Sequence, residues 1–266
     1  LMSTAESAKE NALEIALVQS QLRWGDPAAN RDHLGGLMDQ SPGADLYLLP
    51  ETFSTGFLGD SDAHPETMDG DTVAWMIEQA RQRRAIIAGS LAITEQTKRF
   101  NRFIWASSDG VQACYDKRHL FGFGGEDKRY QAGDSPKVVE WNGWRVDLQV
   151  CYDLRFPVWC RNDREFDLQI FVANWPSPRV EAWRSLLKAR AIENQSYVIG
   201  LNCTGHGGNG VDYPGCSSAW GPLGERLIEL GPEETTGRVS LCLESLGDLR
   251  RKLPFLADAD HFSISY

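Results

Sequence analysis

Val146-Asp147-Leu148-Gln149-Val150-Cys151-Tyr152-Asp153-Leu154-Arg155-Phe156-Pro157 decides how this chain reads. Val146, Leu148 and Val150 alternate with Asp147 and Gln149, the period of a strand. The alternation stops at Cys151 and a polar, aromatic turn follows. Phe156-Pro157-Val158-Trp159 then reads as the opening of a helix near 158–165, with Pro157 in its first turn. Cys151 is therefore expected at the carboxyl end of a buried strand, where open α/β sheets carry their chemistry. A free cysteine is by default one more small buried hydrophobe, so position alone does not make it functional.

Outward from that stretch, strands and helices interleave. Upstream, 13–19 reads as a strand, and Asp26-Pro27 opens a helix in N-cap and first-turn order that runs to about Asp39. Residues 45–49 form an apolar strand stopped by Pro50, and a loop of aromatic and hydroxyl residues runs from Glu51 to Phe57. A helix covers Thr72 to about Arg84, with Val73, Met76, Ile77 and Ala80 on one face, and 85–93 is a buried strand. Asp109-Gly110 and Asn142-Gly143 predict hairpins of 102–107 with 111–116 and of 137–141 with 144–150. Downstream come a strand at 168–173, a loop at Asn174–Pro178 and a strand at 197–202. Between them lies a helix at 180–194, with Trp183, Leu186, Leu187 and Ile192 as its apolar side and Arg184 to Arg190 on its wet side. Strands at 217–220, 225–230 and 238–243 follow, and the tail from Asp248 is charged, then aromatic. No linker divides the chain. This predicts a single α/β layered domain over 1–266, and the repeated β-α-β order hints at two similar halves.

Composition narrows the function. The 266 residues carry a formal net charge of −10 and no basic stripe, which argues against nucleic-acid binding. No apolar run approaches the ~18 residues of a membrane span. Leu1–Asn11 is polar and lacks the layout of a signal peptide. The six cysteines are scattered without a C-x-x-C pair, so neither a zinc site nor a disulfide framework is suggested. A reduced, cytoplasmic protein is expected, with Cys160, Cys203, Cys216 and Cys242 in the core. The glycine-heavy loop 205–215 contains His206 but lacks the Lys-Ser/Thr of a nucleotide loop; it reads as a loop at a pocket entrance.

Three stretches share one grammar, an apolar strand that ends in a single reactive side chain: Leu-Leu-Pro-Glu51, Cys-Tyr-Asp-Lys117 and Leu-Gln-Val-Cys151. A thiol of ordinary pKa, near ~8.5, is mostly protonated at neutral pH. A carboxylate beside it can take the proton as sulfur attacks a carbonyl or nitrile carbon, and can return it to departing ammonia. A lysine ammonium and the backbone N–H of Tyr152 would stabilise the oxyanion. Taken singly, Glu51 is as readily a surface carboxylate and Lys117 part of a solvated charge run.

Leu-Leu-Pro-Glu51-Thr-Phe-Ser-Thr-Gly-Phe, Tyr-Asp-Lys117-Arg-His-Leu-Phe and Val-Cys151-Tyr-Asp-Leu-Arg-Phe-Pro resemble, in order, the three signature segments of the nitrilase (carbon–nitrogen hydrolase) superfamily. Within it, Cys-Tyr-Asp-Leu-Arg-Phe-Pro-Val-Trp paired with Asn-Trp-Pro-x-x-Arg resembles bacterial omega-amidases of the YafV type. The resemblance implies an α-β-β-α four-layer sandwich that dimerises into eight layers, and no metal or organic cofactor. It implies Glu51 as general base, Lys117 as oxyanion-stabilising cation, Cys151 as nucleophile and Glu126 as the second glutamate, with Asp127 as the fallback. The implied substrate is the terminal amide of a small 2-oxo acid, with Arg155, Arg179 and His119 as candidates for its anionic end and Phe57, Trp175 and Tyr152 as aromatic walls. Pairing of either arginine with Asp153 or Glu181, and plain packing of the aromatics, are the alternatives. The same motifs serve other amidases, N-carbamoyl amide hydrolases and nitrilases, and a catalytically idle binding member is the rival outside enzymes.

Overall fold

The structure is a computed structural model, and it describes residues 12–57 and 65–264; Leu1–Asn11 lies outside the described residues. The first half of the chain supplies β1 (Ala12–Gln19), β2 (Leu46–Leu48), β3 (Ile86–Glu95), β4 (Lys98–Ser107) and β5 (Gly110–Asp116). The second supplies β6 (Val138–Trp141), β7 (Trp144–Val150), β8 (Leu168–Ala173) and β9 (Tyr197–Asn202), then a small hairpin of β10 (Thr204–His206) and β11 (Asp212–Pro214). After β12 (Ser218–Trp220) and β13 (Arg226–Glu229), the chain returns to the first sheet as β14 (Thr235–Cys242). The two six-stranded sheets have the orders β14-β1-β2-β3-β4-β5 and β13-β12-β9-β8-β7-β6. Each has three parallel strands, β1-β2-β3 and β7-β8-β9, flanked by antiparallel partners. The hint of two similar halves is thus realised in topology.

Helices cover the outer faces. On β1, Ile15 and Leu17 join the core between the sheets, while Ala16 and Val18 pack with Leu34 and Leu37 of α1 (Pro27–Met38) and with Met76 and Ala80 of α2 (Asp71–Arg83). Alternate residues face opposite sides of a strand, so a sheet buried on both faces needs both sets apolar. Asp26 starts α1 by accepting the Ala29 N–H at 3.0 Å, with Pro27 in the first turn. On the other side, α3 (Val180–Asn194) lays Trp183, Leu187 and Ala191 against the second sheet. Gly200 on β9 permits that approach, since a Cβ there would lie 2.4 Å from Leu187 and 2.6 Å from Trp183. The result is the α-β-β-α sandwich. The charged tail begins as a helix, α4 (Leu243–Lys252), whose Leu246 reaches the core.

Some expectations are corrected. No helix forms near 158–165: Cys151–Arg155 makes a short 3₁₀ turn, and the chain then winds through turns and bends. Asn162 accounts for this by bonding the backbone of Phe166 and Asn194, with its own N–H on the Asn194 side chain. Such side-chain bonds compete with a helix ladder. Arg190 is not on the wet side of α3; it is 3% exposed and donates to the Leu154 carbonyl at 2.7 Å. Ile192 is exposed rather than packed. Cys160, Cys203 and Cys216 are buried, but Cys242 is only half-buried.

Candidate active site

Three strand ends converge on one cavity of about 380 Å³, within the range of small-molecule sites. Glu51 follows β2, Lys117 follows β5 and Cys151 follows β7; all three line the cavity. Pro50 ends β2, and Thr52, at φ 42°, turns the chain while its N–H donates to Ser90 Oγ at 2.9 Å. Lys117 is held by its N–H on the Asn101 carbonyl of β4 at 2.9 Å. Cys151 itself has φ 45°, a left-handed conformation that costs a non-glycine residue roughly 1–3 kcal/mol.

Asp153 fixes that strained turn. One carboxylate oxygen accepts the backbone N–H and ring nitrogen of His119, at 2.9 and 2.8 Å, and the other accepts Tyr115 Oη and the Val150 N–H, at 2.8 and 3.1 Å. The nucleophile turn is thereby clamped to the segment that bears Lys117. The same bonds occupy His119, whose ring stacks on Phe156 at 3.6 Å. His119 is not among the lining residues, so the structure does not place it at the anionic end of a substrate.

Charge organises the floor. Lys117 Nζ lies 2.8 Å from Glu51 Oε1 and 2.8 Å from Glu126 Oε2, and all three side chains are buried. Asn101 Nδ2 donates to both carboxylates, at 2.8 and 3.0 Å. Glu126 sits behind the lysine rather than on the cavity wall, and its Oε2 also receives the Phe121 N–H at 2.7 Å. Burial alone would lower the Lys117 pKa, but Glu126 and Glu51 outweigh it and hold the ammonium well above its ordinary range. Burial raises the Glu126 pKa, partly offset by Lys117. The Cys151 thiol is pushed well up, first by burial, then by the Glu51 charge, with Lys117 opposing. A protonated thiol beside a carboxylate is a nucleophile that needs a base.

Above the floor the lining changes character. Phe57, Tyr152, Trp175, Arg155 and Arg179 border the cavity as expected. Arg155 lies over the Trp175 ring at 4.8 Å and Arg179 over Phe121 at 5.3 Å. Neither pairs with Asp153 or Glu181: the first is committed to Tyr115 and His119, the second to Arg184. Asn209, Val211 and Tyr213 place the glycine-heavy loop at the cavity, as the sequence suggested. Phe123, 92% exposed, stands at the rim. The sequence reading gave no role to Asn101, Asn174 or Tyr213. Asn174 N donates to Glu51 Oε2 at 2.8 Å, and its side-chain amide to the Glu51 carbonyl at 2.9 Å.

A buried carboxylate–ammonium–carboxylate array beside a strained cysteine, on a double-sheet sandwich, defines a class of cysteine hydrolase. The chain belongs to the carbon–nitrogen hydrolase family, whose model matches residues 14–251. It is 43% identical over 253 residues to omega-amidase YafV of Escherichia coli K12, covering 95% of this chain and 98% of that one. It is 31% identical to the 2-oxoglutaramate amidase of Bacillus subtilis, over 92% and 96% of the two chains. Among solved structures, XC1258 of Xanthomonas campestris, a CN-hydrolase superfamily protein with an arsenic adduct in its active site, superposes with a TM-score of 0.93 at 46% identity. That match covers 96% of this chain and 99% of the other.

Proposed function

We propose that this protein is an omega-amidase that hydrolyses the terminal amide of 2-oxoglutaramate to 2-oxoglutarate and ammonia. One observation carries the reading: Lys117 bridges two buried carboxylates on the floor of a cavity that also holds Cys151 and, higher up, Arg155 and Arg179. Relatives of 43% and 31% identity are an omega-amidase and a 2-oxoglutaramate amidase. In the first half-reaction Cys151 Sγ attacks the amide carbon while Glu51 takes the thiol proton. The carbonyl oxygen becomes an oxyanion held by Lys117 Nζ and the Tyr152 N–H. Glu51 returns the proton to nitrogen, the C–N bond breaks and ammonia leaves a thioester. In the second, Glu51 deprotonates water, hydroxide attacks the thioester, and the carboxylic acid departs as the thiol is re-formed. Glu126 keeps the lysine charged and aimed, and Arg155 and Arg179 receive the carboxylate at the far end.

Two arginines without an ion pair among the described residues favour an anionic substrate over a simple nitrile or aliphatic amide. Ammonia release from 2-oxoglutaramate, glutamine, asparagine and simple nitriles tests this side by side. We expect 2-oxoglutaramate to be among the best; its absence from the best substrates overturns the assignment. Release that is unchanged in Cys151→Ala overturns the mechanism, and no release from any amide favours an idle binding member. We further propose one domain over 1–266, since β14 returns to the first sheet after the second is complete. A cytoplasmic location fits six unpaired cysteines. A homodimer, stacking two sandwiches into eight layers, would cover the exposed Val158, Phe255 and Phe262, which border one depression. Sedimentation equilibrium reads the oligomer directly, and a monomer at micromolar concentration overturns that part.

A further inference from the structure

Tyr213 holds a hydrogen-bond donor that finds no acceptor among the described residues. It is the central residue of β11, borders the cavity and is 5% exposed. Its ring stacks with Trp24, centroids 6.2 Å apart at 25°. Its hydroxyl oxygen accepts Asn209 Nδ2 at 3.0 Å, and Asn209 is itself oriented by the Val211 N–H on its Oδ1 at 3.2 Å. The phenol oxygen is thus supplied with a proton from outside, and its own proton has no acceptor among the described residues. Buried polar groups are almost always paired. Tyr152, the other cavity tyrosine, is only partly buried. Burial pushes the Tyr213 pKa up, so it remains a neutral donor at working pH.

We infer that Tyr213 is a specificity-determining residue whose hydroxyl donates to the 2-oxo oxygen of the substrate; the inference rests on the omega-amidase reading above. A 2-oxo acid amide offers three polar ends. The amide carbon and oxygen go to Cys151 and Lys117, and the carboxylate to Arg155 and Arg179. The remaining group is an uncharged ketone, an acceptor only. A neutral donor held by the Trp24 stack and by Asn209 suits it, because it adds no net charge beside two arginines. The site then prefers a 2-oxo acid amide over the same chain bearing a methylene, since the methylene leaves the phenol proton unpaired.

The test compares wild type and Tyr213→Phe on 2-oxoglutaramate and on glutaramate, which has a methylene where the first has the ketone. Phenylalanine keeps the stack on Trp24. The expected result is a loss of about five- to tenfold in kcat/KM for 2-oxoglutaramate, mostly through KM, with glutaramate within twofold of wild type. The glutaramate rate also reports that the variant is folded with an intact catalytic floor. Equal losses on both substrates, or no loss on either, overturn the inference while leaving the omega-amidase reading in place. A wild type that hydrolyses glutaramate but not 2-oxoglutaramate overturns both.

Discussion

Glu51 and Asn174 stand at the same place in the two halves of the molecule. Each follows the middle strand of a parallel trio, β2 in one sheet and β8 in the other, and they bond across the divide. The first strands of the two trios make the contrast sharper. β7 hands over to Cys151, while β1 ends in Gln19. Gln19 is fully buried and spends its side chain on the fold, donating to the Gly231 and Glu233 carbonyls at 2.8 and 2.7 Å and accepting the Ser217 N–H at 3.1 Å. Cys151 makes no comparable tie: its side chain packs at the edge of the core, and its neighbours hold it in a costly conformation. The sheet architecture offers comparable strand-end positions in both halves; the side chain placed there decides whether that position reacts or ties.

The largest effect is expected where the contrast is chemical. Cys151→Ala should lower ammonia release by about 10⁴-fold or more, and Glu51→Gln by a comparable factor. Retention of a tenth of the activity in either would break the assignment of roles. Lys117→Met comes next. It leaves two buried carboxylates without their counter-charge, which costs about 3–5 kcal/mol of stability, readable as a lower midpoint in urea. A midpoint at the wild-type value would mean the array is not buried as drawn.

Exchange at the matched positions sharpens the comparison further. Asn174→Ala removes two side-chain bonds, to the Glu51 carbonyl and Thr52 Oγ1, and should reduce kcat/KM about tenfold. Gln19→Ala should reduce stability by about 1–3 kcal/mol with kcat within twofold. If Gln19 proves as costly to kcat as Asn174, the division between strand ends that serve the site and strand ends that tie the fold fails. The smallest effect is electrostatic. The thiol is raised by burial and then by the Glu51 charge, and lowered by Lys117. The pH midpoint of Cys151 alkylation by iodoacetamide should therefore fall in Glu51→Gln, where thiolate loses a repelling neighbour, and rise in Lys117→Met. Shifts of the opposite sign would contradict the geometry.

Much of this was legible in the sequence because strand ends leave marks. Pro50 before Glu51, and the end of alternation at Cys151, both signal a strand handing over to a turn. Asp109-Gly110 placed the hairpin that delivers Lys117. What was illegible depends on partners distant in the chain. Asn101 lies in the middle of β4 and looks like an ordinary polar strand residue until Glu51 and Glu126 close around it. His119 and Arg155 look alike beside a motif, but Asp153 captures one and leaves the other over Trp175. Tyr213 sits in a small hairpin strand that the sequence, through its glycines, presents only as a loop. The helix read near 158–165 failed because the side chain of Asn162 takes up backbone groups of its neighbours, an effect with no periodicity to reveal it.

The most direct test is an acid-quenched mass spectrum of wild type mixed with 2-oxoglutaramate. The predicted result is a transient adduct of the substrate's mass less ammonia, on the peptide that contains Cys151. Steady turnover with no adduct at any quench time, or an adduct on a peptide without Cys151, would contradict a thioester formed between the two sheets.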